Sequence, residues 1–151
     1  MIAWLKQLFS RLRGERDGRD ERKKSGDEGE AAAARFLARE RGMAVLARNW
    51  RSPRDRRREI DIVCRAPSGA LVFVEVKTYP TARLFQGHAS VDRRKKAVLK
   101  RAALDYLREL GPLRRELTYR LDVVVVERAD GGRLVPHHFE NVPLFSRGKH
   151  I

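Results

Sequence analysis

Residues 71–77 read LVFVEVK. In an extended chain, alternation puts Leu71, Phe73, Glu75 and Lys77 on one face of a strand and Val72, Val74 and Val76 on the other. The valine face is core. The other face starts apolar and ends with a carboxylate and an amine, so two charges sit side by side on a half-buried face. Working outward, residues 59–65 (EIDIVCR) read as the preceding strand and residues 66–69 (APSG) as a short turn. A turn centred near Ser68 sets Asp61 opposite Glu75 on the same face, with Cβ atoms about 5 Å apart. Lys77 follows on that face, about 7 Å along the strand. A slip of one residue in the register would move the two carboxylates to different faces.

Two carboxylates at that separation repel by on the order of 3 kcal/mol at an effective dielectric of about 20. Such a pair needs a cation beside it, either Lys77 or a divalent metal. A third acid comes from a predicted helix, where Glu30, Ala33, Ala34 and Leu37 share one stripe at i, i+3, i+4, i+7. Glu30, Asp61, Glu75 and Lys77 together carry a formal charge of −2, which matches one hard dication such as Mg²⁺. Each residue alone has a plainer reading. Glu30 suits the positive end of a helix dipole, Asp61 suits a strand edge, and Glu75 with Lys77 suits a solvated ion pair worth under about 1 kcal/mol. The set on one face favours a site.

The remaining chain supplies the frame. Ser25 and Glu28 form a capping-box pattern for a helix that Gly42 stops. Residues 43–50 read as a strand, 51–58 (RSPRDRRR) as a basic loop and 79–90 as a longer loop. Asp92 can cap a helix running to Leu110, ended by Gly111 and Pro112. Residues 119–127 read as a buried strand, 129–132 as a turn and 133–139 as a last strand that Pro136 confines to an edge. The order is α-β-β-β-α-β-β, an α/β domain with a mixed central sheet flanked by helices. Residues 1–24 read as a short amphipathic helix, with apolar Leu5, Leu8, Phe9 and Leu12, followed by a charged linker; the domain proper spans 25–151.

The chain has 151 residues, which suits one domain. Its 34 Lys and Arg against 20 Asp and Glu leave +14, and a polyanion is the natural partner, nucleic acid ahead of acidic protein or lipid. Cys64 is the single cysteine, so neither an intramolecular disulfide nor a cysteine metal site is expected, and the usage suits the cytoplasm. No apolar run approaches the roughly 20 residues of a membrane span, so stable membrane insertion is not expected. Residues 1–13 lack the apolar region and cleavage site of a signal peptide. Arg51, Arg54, Arg56, Arg57 and Arg58 crowd the basic loop just before Asp61. Their guanidinium forks suit phosphate, and a solvated loop is the competing reading. Lys95, in register with Val98, Leu99 and Ala102, either reaches toward the site or snorkels to solvent. Nothing pairs His88, His137 or His138 with a carboxylate at ligand spacing, so all three read as ordinary loop or edge-strand residues.

EID at residues 59–61 followed by FVEVK at 73–77 resembles the Asp…Glu-x-Lys core of the PD-(D/E)XK nuclease superfamily. More closely, residues 25–145 are similar to the YraN-type family of uncharacterised bacterial proteins, related to Holliday-junction resolvases. GDEGEAAA, RNW, EID, FVEVKT, Gly87, Lys95 with AALDYL, and RLDVVVV carry that likeness in order. The resemblance implies a restriction-endonuclease-like fold. It also implies Mg²⁺ (or Mn²⁺) held by Asp61, Glu75 and the Val76 carbonyl, with Glu30 completing the site and Lys77 serving the attacked phosphate. The implied chemistry is phosphodiester hydrolysis, on DNA that is branched or flapped. A non-catalytic nucleic-acid-binding module on the same fold is the alternative, and a homodimer is compatible with either. Two positions depart from the family pattern: Arg58 where a glycine usually precedes EID, and Tyr79 where an arginine usually follows EVKT.

Overall fold

The computed structural model describes residues 19–79 and 93–143. Five strands form one sheet in the order β1-β2-β3-β4-β5. They are β1 (Ala44–Arg51), β2 (Glu59–Arg65), β3 (Leu71–Tyr79), β4 (Tyr119–Arg128) and β5 (Leu134–Phe139). Helix α1 (Arg19–Arg39) precedes them, and α2 (Arg93–Glu109) lies between β3 and β4. Strands β1, β2 and β3 are antiparallel neighbours, β3 and β4 are parallel, and β4 and β5 are antiparallel. A parallel step needs a long crossover, and α2 lies in it. The element order is the α-β-β-β-α-β-β of the sequence reading, with a mixed sheet between helices. No helix among the described residues is long and apolar enough to cross a membrane.

The turn residues set the central register. Ala66 N–H donates to the Ala70 carbonyl and Gly69 N–H to the Ala66 carbonyl. Gly69 takes φ +87°, a conformation that side chains with a Cβ rarely adopt. Arg65 then faces Leu71, Cys64 faces Val72, Val63 faces Phe73 and Ile62 faces Val74. Asp61 and Glu75 are the next positions in that register.

Both faces of the sheet are covered. On one, Val63, Leu71, Phe73, Val123 and Val125 pack with Leu99, Ala102, Ala103 and Leu107 of α2. On the other, Ile62, Cys64, Val72, Val74, Val124 and Val126 pack with Ala33 and Leu37 of α1. The face of Leu71 and Phe73, expected to be half-buried, is therefore core as well. Burial on both faces is what the unbroken valine run of β4 requires.

Helix α1 starts at Arg19, six residues before the Ser25 cap expected from the capping-box pattern. Glu21, Arg22, Lys23 and Lys24 are strong helix formers and carry the helix through that segment. Glu28 does not serve a capping box; its carboxylate takes the Arg128 guanidinium at 2.6 Å and ties α1 to the end of β4. At the other end, Gly42 adopts φ +64° and Met43 N–H returns to the Leu37 carbonyl. Pro136 lies on β5, an edge strand, as expected. The N-terminal amphipathic stripe, Gly87, His88 and the Asp92 cap lie outside the described residues.

One contact sets the seat of α1 on the sheet. A Cβ built on Gly29 would stand 1.9 Å from Thr78 Oγ1, so only a hydrogen fits there. Gly29→Ala should destabilise the chain by about 1–3 kcal/mol through overpacking. Adding Thr78→Ala should recover part of that loss in a denaturant double-mutant cycle; strict additivity of the two changes would refute the contact.

Candidate functional site

The site begins where β2 breaks its alternation. Ile62 and Cys64 face α1, so regular alternation would send Ile60 there too, yet Ile60 packs in the core on the α2 side. The change of face falls across Asp61. Beyond Ile62–Val74 the β2–β3 ladder stops, and Val76 N–H donates to Asp61 Oδ2 at 2.8 Å. A side chain thus replaces a strand as the acceptor. Because a residue's N–H and C=O leave a strand on the same side, the Val76 carbonyl faces the same gap.

Glu75 follows the parity of Leu71 and Phe73 and points to the α2 side. It is 7 % exposed. Lys95, in the first turn of α2, sets its ammonium 3.4 Å from Glu75 Oε1. Glu75 Oε2 is buried without a hydrogen-bond partner. Burial and the Asp61 charge push the Glu75 carboxyl up to about 8, against the pull of Lys95 and Lys77. Burial also raises Asp61, opposed by the Val76 N–H and Lys95. Burial lowers Lys95, but Glu75 and Asp61 outweigh it and hold the ammonium above its usual value.

Glu30 arrives from α1, on the other side of the sheet. Ala33, Ala34 and Leu37 of its stripe are buried, and Glu30 Oε2 is a second buried oxygen without a partner. Burial and the Asp61 charge raise its carboxyl, while a hydrogen bond from Asn49 opposes them. Asp61 is therefore the electrostatic link between Glu30 and Glu75. Asn49 sits within β1 at φ +49°, a left-handed conformation that asparagine tolerates better than most residues.

The donor set suits a hard dication. Asp61, Glu75 and the Val76 carbonyl offer oxygens only, and Mg²⁺ takes one or two carboxylates while keeping several waters. The orphaned Glu75 oxygen is the acceptor such an ion would satisfy. Among the described residues no three His, Cys, Asp or Glu side chains converge as a ligand group, so Glu30 belongs to the surroundings of such a site. Sequence reasoning counted Lys77 as the site's amine. Lys95 is a second one, and with it the five side chains carry a formal −1.

The basic loop divides in two. Asp105, 1 % exposed on α2, accepts from Ser52 Oγ at 2.7 Å and from Arg58 at 2.8 Å, and pairs with Arg108 at 3.0 Å. Arg57 chelates Asp55, and Arg51 pairs with Glu59 at 3.2 Å. Arg58, the departure before EID, thus fastens the loop to α2, and Tyr79, the other departure, is buried against the α2-side core. Arg54 and Arg56 are exposed. The histidines also differ from expectation, because both described ones pair with acids. His138 Nε2 lies 2.8 Å from Asp122 Oδ2 and His137 Nε2 lies 3.1 Å from Glu127 Oε2. Both are diagonal cross-strand neighbours in the β4–β5 hairpin, a relation that sequence spacing hides. A groove of about 410 Å³ lined by Ala32, Phe36, Arg39, Leu134 and Pro136 contains none of the acidic-site residues.

Fold and site together describe a small α/β protein with an acidic, amine-bearing cluster where two strands part. The family model described as "Uncharacterised protein family UPF0102" matches residues 29–126, and the chain belongs to that family. It is 44% identical over 111 residues to a UPF0102 protein of Deinococcus radiodurans, covering 71% of this chain and 86% of that one. It is 40% identical over 114 residues to a UPF0102 protein of Beutenbergia cavernae, covering 76% and 91%. The matched span holds Glu30, Asp61, Glu75, Lys77 and Lys95.

The raised carboxyl has a signed consequence. Between its ordinary value near 4.5 and about 8, Glu75 binds a proton in the folded chain that the unfolded chain releases. Its contribution is complete below that window and is lost as pH rises through it. In EDTA, wild type should lose stability from pH 5 to 8.5. Glu75→Gln should flatten the slope and exceed wild type at pH 8.5 by about 2 kcal/mol or more, at ~1.4 kcal/mol per pH unit. A slope that glutamine leaves unchanged would place the proton elsewhere.

Proposed function

We propose that this chain is a Mg²⁺- or Mn²⁺-dependent endonuclease that hydrolyses phosphodiester bonds in DNA. The observation that carries the reading is the carboxylate pair beyond the end of a strand ladder, Asp61 half-buried and Glu75 buried, with Glu75 Oε2 left without a partner. A dication held by Asp61, Glu75 and the Val76 carbonyl supplies Lewis-acid stabilisation of charge on the attacked phosphate. Lys77 orients the attacking water and stabilises charge that develops on the phosphoryl oxygens. Glu30, steadied by Asn49, orders water beside Asp61. The exposed Arg54 and Arg56 hold the DNA backbone from a loop that Asp105 braces. The similarity to junction resolvases directs the substrate toward branched or flapped DNA. The exposed loop arginines also favour a second reading, a DNA-binding module without turnover, since they act independently of the acidic cluster.

The roles separate by mutation. Wild type should bind Mg²⁺ in calorimetry and cleave flapped or four-way DNA. Asp61→Asn and Glu75→Gln should lose metal and cleavage together. Lys77→Ala should keep metal and lose turnover by about 10²-fold or more. Metal binding and DNA binding without cleavage by wild type would select the second reading; no metal-dependent change at millimolar Mg²⁺ would reject the metal site.

Loop contacts have their own readout. The log of DNA affinity should fall linearly with the log of salt concentration. Replacing Arg54 and Arg56 with Ala should make that slope shallower by about 2, near 0.9 per lost phosphate contact. An unchanged slope would remove the loop from the DNA interface.

A further inference from the structure

We propose that Lys95 is the resting partner of Glu75 in the metal site, a positioning residue that holds the Glu75 carboxyl in place and exchanges places with the arriving dication. The inference rests on the metal-site reading and adds a residue and an order of events to it.

Three observations converge on Lys95. Its ammonium stands 3.4 Å from Glu75 Oε1, while Glu75 Oε2 is buried and unpartnered. The two oxygens of one carboxylate are thus already differentiated, one facing a cation and the other turned from it and buried. Next, the first turn of α2 contains no acid and begins Arg93, Arg94, Lys95, Lys96. Cations there oppose the positive end of the helix dipole. Of the residues in that turn, Lys95 makes the ion pair with the buried acid. Finally, Lys95 is 39% exposed in its side chain against 9% for Glu75. Glu75 is fixed in the core, and Lys95 can swing outward on its flexible stem.

A dication and an ammonium drawn to the same carboxylate repel each other. Binding of the first weakens the hold of the second, and the partly exposed partner is the one that leaves. A released ammonium beside the cluster then meets the DNA phosphate. Without metal, Lys95 keeps Glu75 from turning away.

Competition has a sign that a purely structural lysine lacks. Mg²⁺ affinity is measured by calorimetry at pH 8.5 on wild type, Lys95→Gln, Lys95→Arg and the exposed neighbour Arg94→Gln. Lys95→Gln should bind about tenfold more tightly, within the range of ordinary couplings between sites. Lys95→Arg should remain near wild type, and Arg94→Gln should change by less than about twofold, since exposed charges are screened. In EDTA, Lys95→Gln should melt below wild type, and saturating Mg²⁺ should raise its melting temperature by more than it raises that of wild type. Equal or weaker Mg²⁺ binding by Lys95→Gln overturns the exchange while leaving the metal site standing. Equal tightening by Arg94→Gln reduces the effect to general charge and also overturns it. Absence of Mg²⁺ binding by wild type removes both the metal site and the exchange.

Discussion

One hydrogen bond organises the functional end of this molecule: Val76 N–H to Asp61 Oδ2, at 2.8 Å. A strand's backbone donor normally pairs with the next strand, and leaving it unpaired in the interior costs about as much as losing a hydrogen bond. Here a carboxylate accepts it, which lets β2 leave the ladder after Ile62 and re-aim its side chains. The same bond draws Asp61 into the gap beside Glu75 and opposes the rise in its proton affinity. Strand separation and acidic chemistry therefore have one cause.

The rest of the architecture holds that gap open in a fixed shape. The two-sided core makes β3 a rigid rail, with Phe73 and Val74 buried on opposite faces. Helix α1 brings Glu30 to one side and α2 brings Lys95 to the other. The Asp105 network ties the loop after β1 to α2 through Ser52 and Arg58. Buried ion pairs of this kind are weak contributors to net stability, but removing one partner is strongly destabilising. The network's use is to specify where the loop sits, which matters if Arg54 and Arg56 are to meet a phosphate backbone.

What the sequence made legible follows from how local each signal was. The β2–β3 register was readable because a four-residue turn with Gly69 leaves few alternatives, and Asp61 and Glu75 lie just beyond its last pair, Ile62 and Val74. Element order was readable from alternation, the Gly42 stop and the Pro136 edge. The start of α1 was not, because Ser25 and Glu28 match a capping box that the strong helix formers before them override. Lys95 was ambiguous because a helix lysine's direction depends on how the helix sits on the sheet. Asn49 was hidden for another reason: a residue that strands disfavour was the sole sign that β1 turns a side chain toward Glu30. The acid partners of His137 and His138 depend on a diagonal across a hairpin, and the loop partners of Asp105 lie 53 and 47 residues away in the chain.

Gly29 gives the acidic cluster a mechanical reference. Its bare Cα presses on Thr78 of β3, one residue before Glu30. The helix is thereby indexed to the strand like a pawl in a notch: rolling α1 would carry Glu30 away and bring the side chain of Glu28 or Glu30 onto Thr78. The seat of Glu30 beside Asp61 thus has a steric stop as well as the Glu28–Arg128 ion pair. A residue with no functional group at all helps to align the acidic ones.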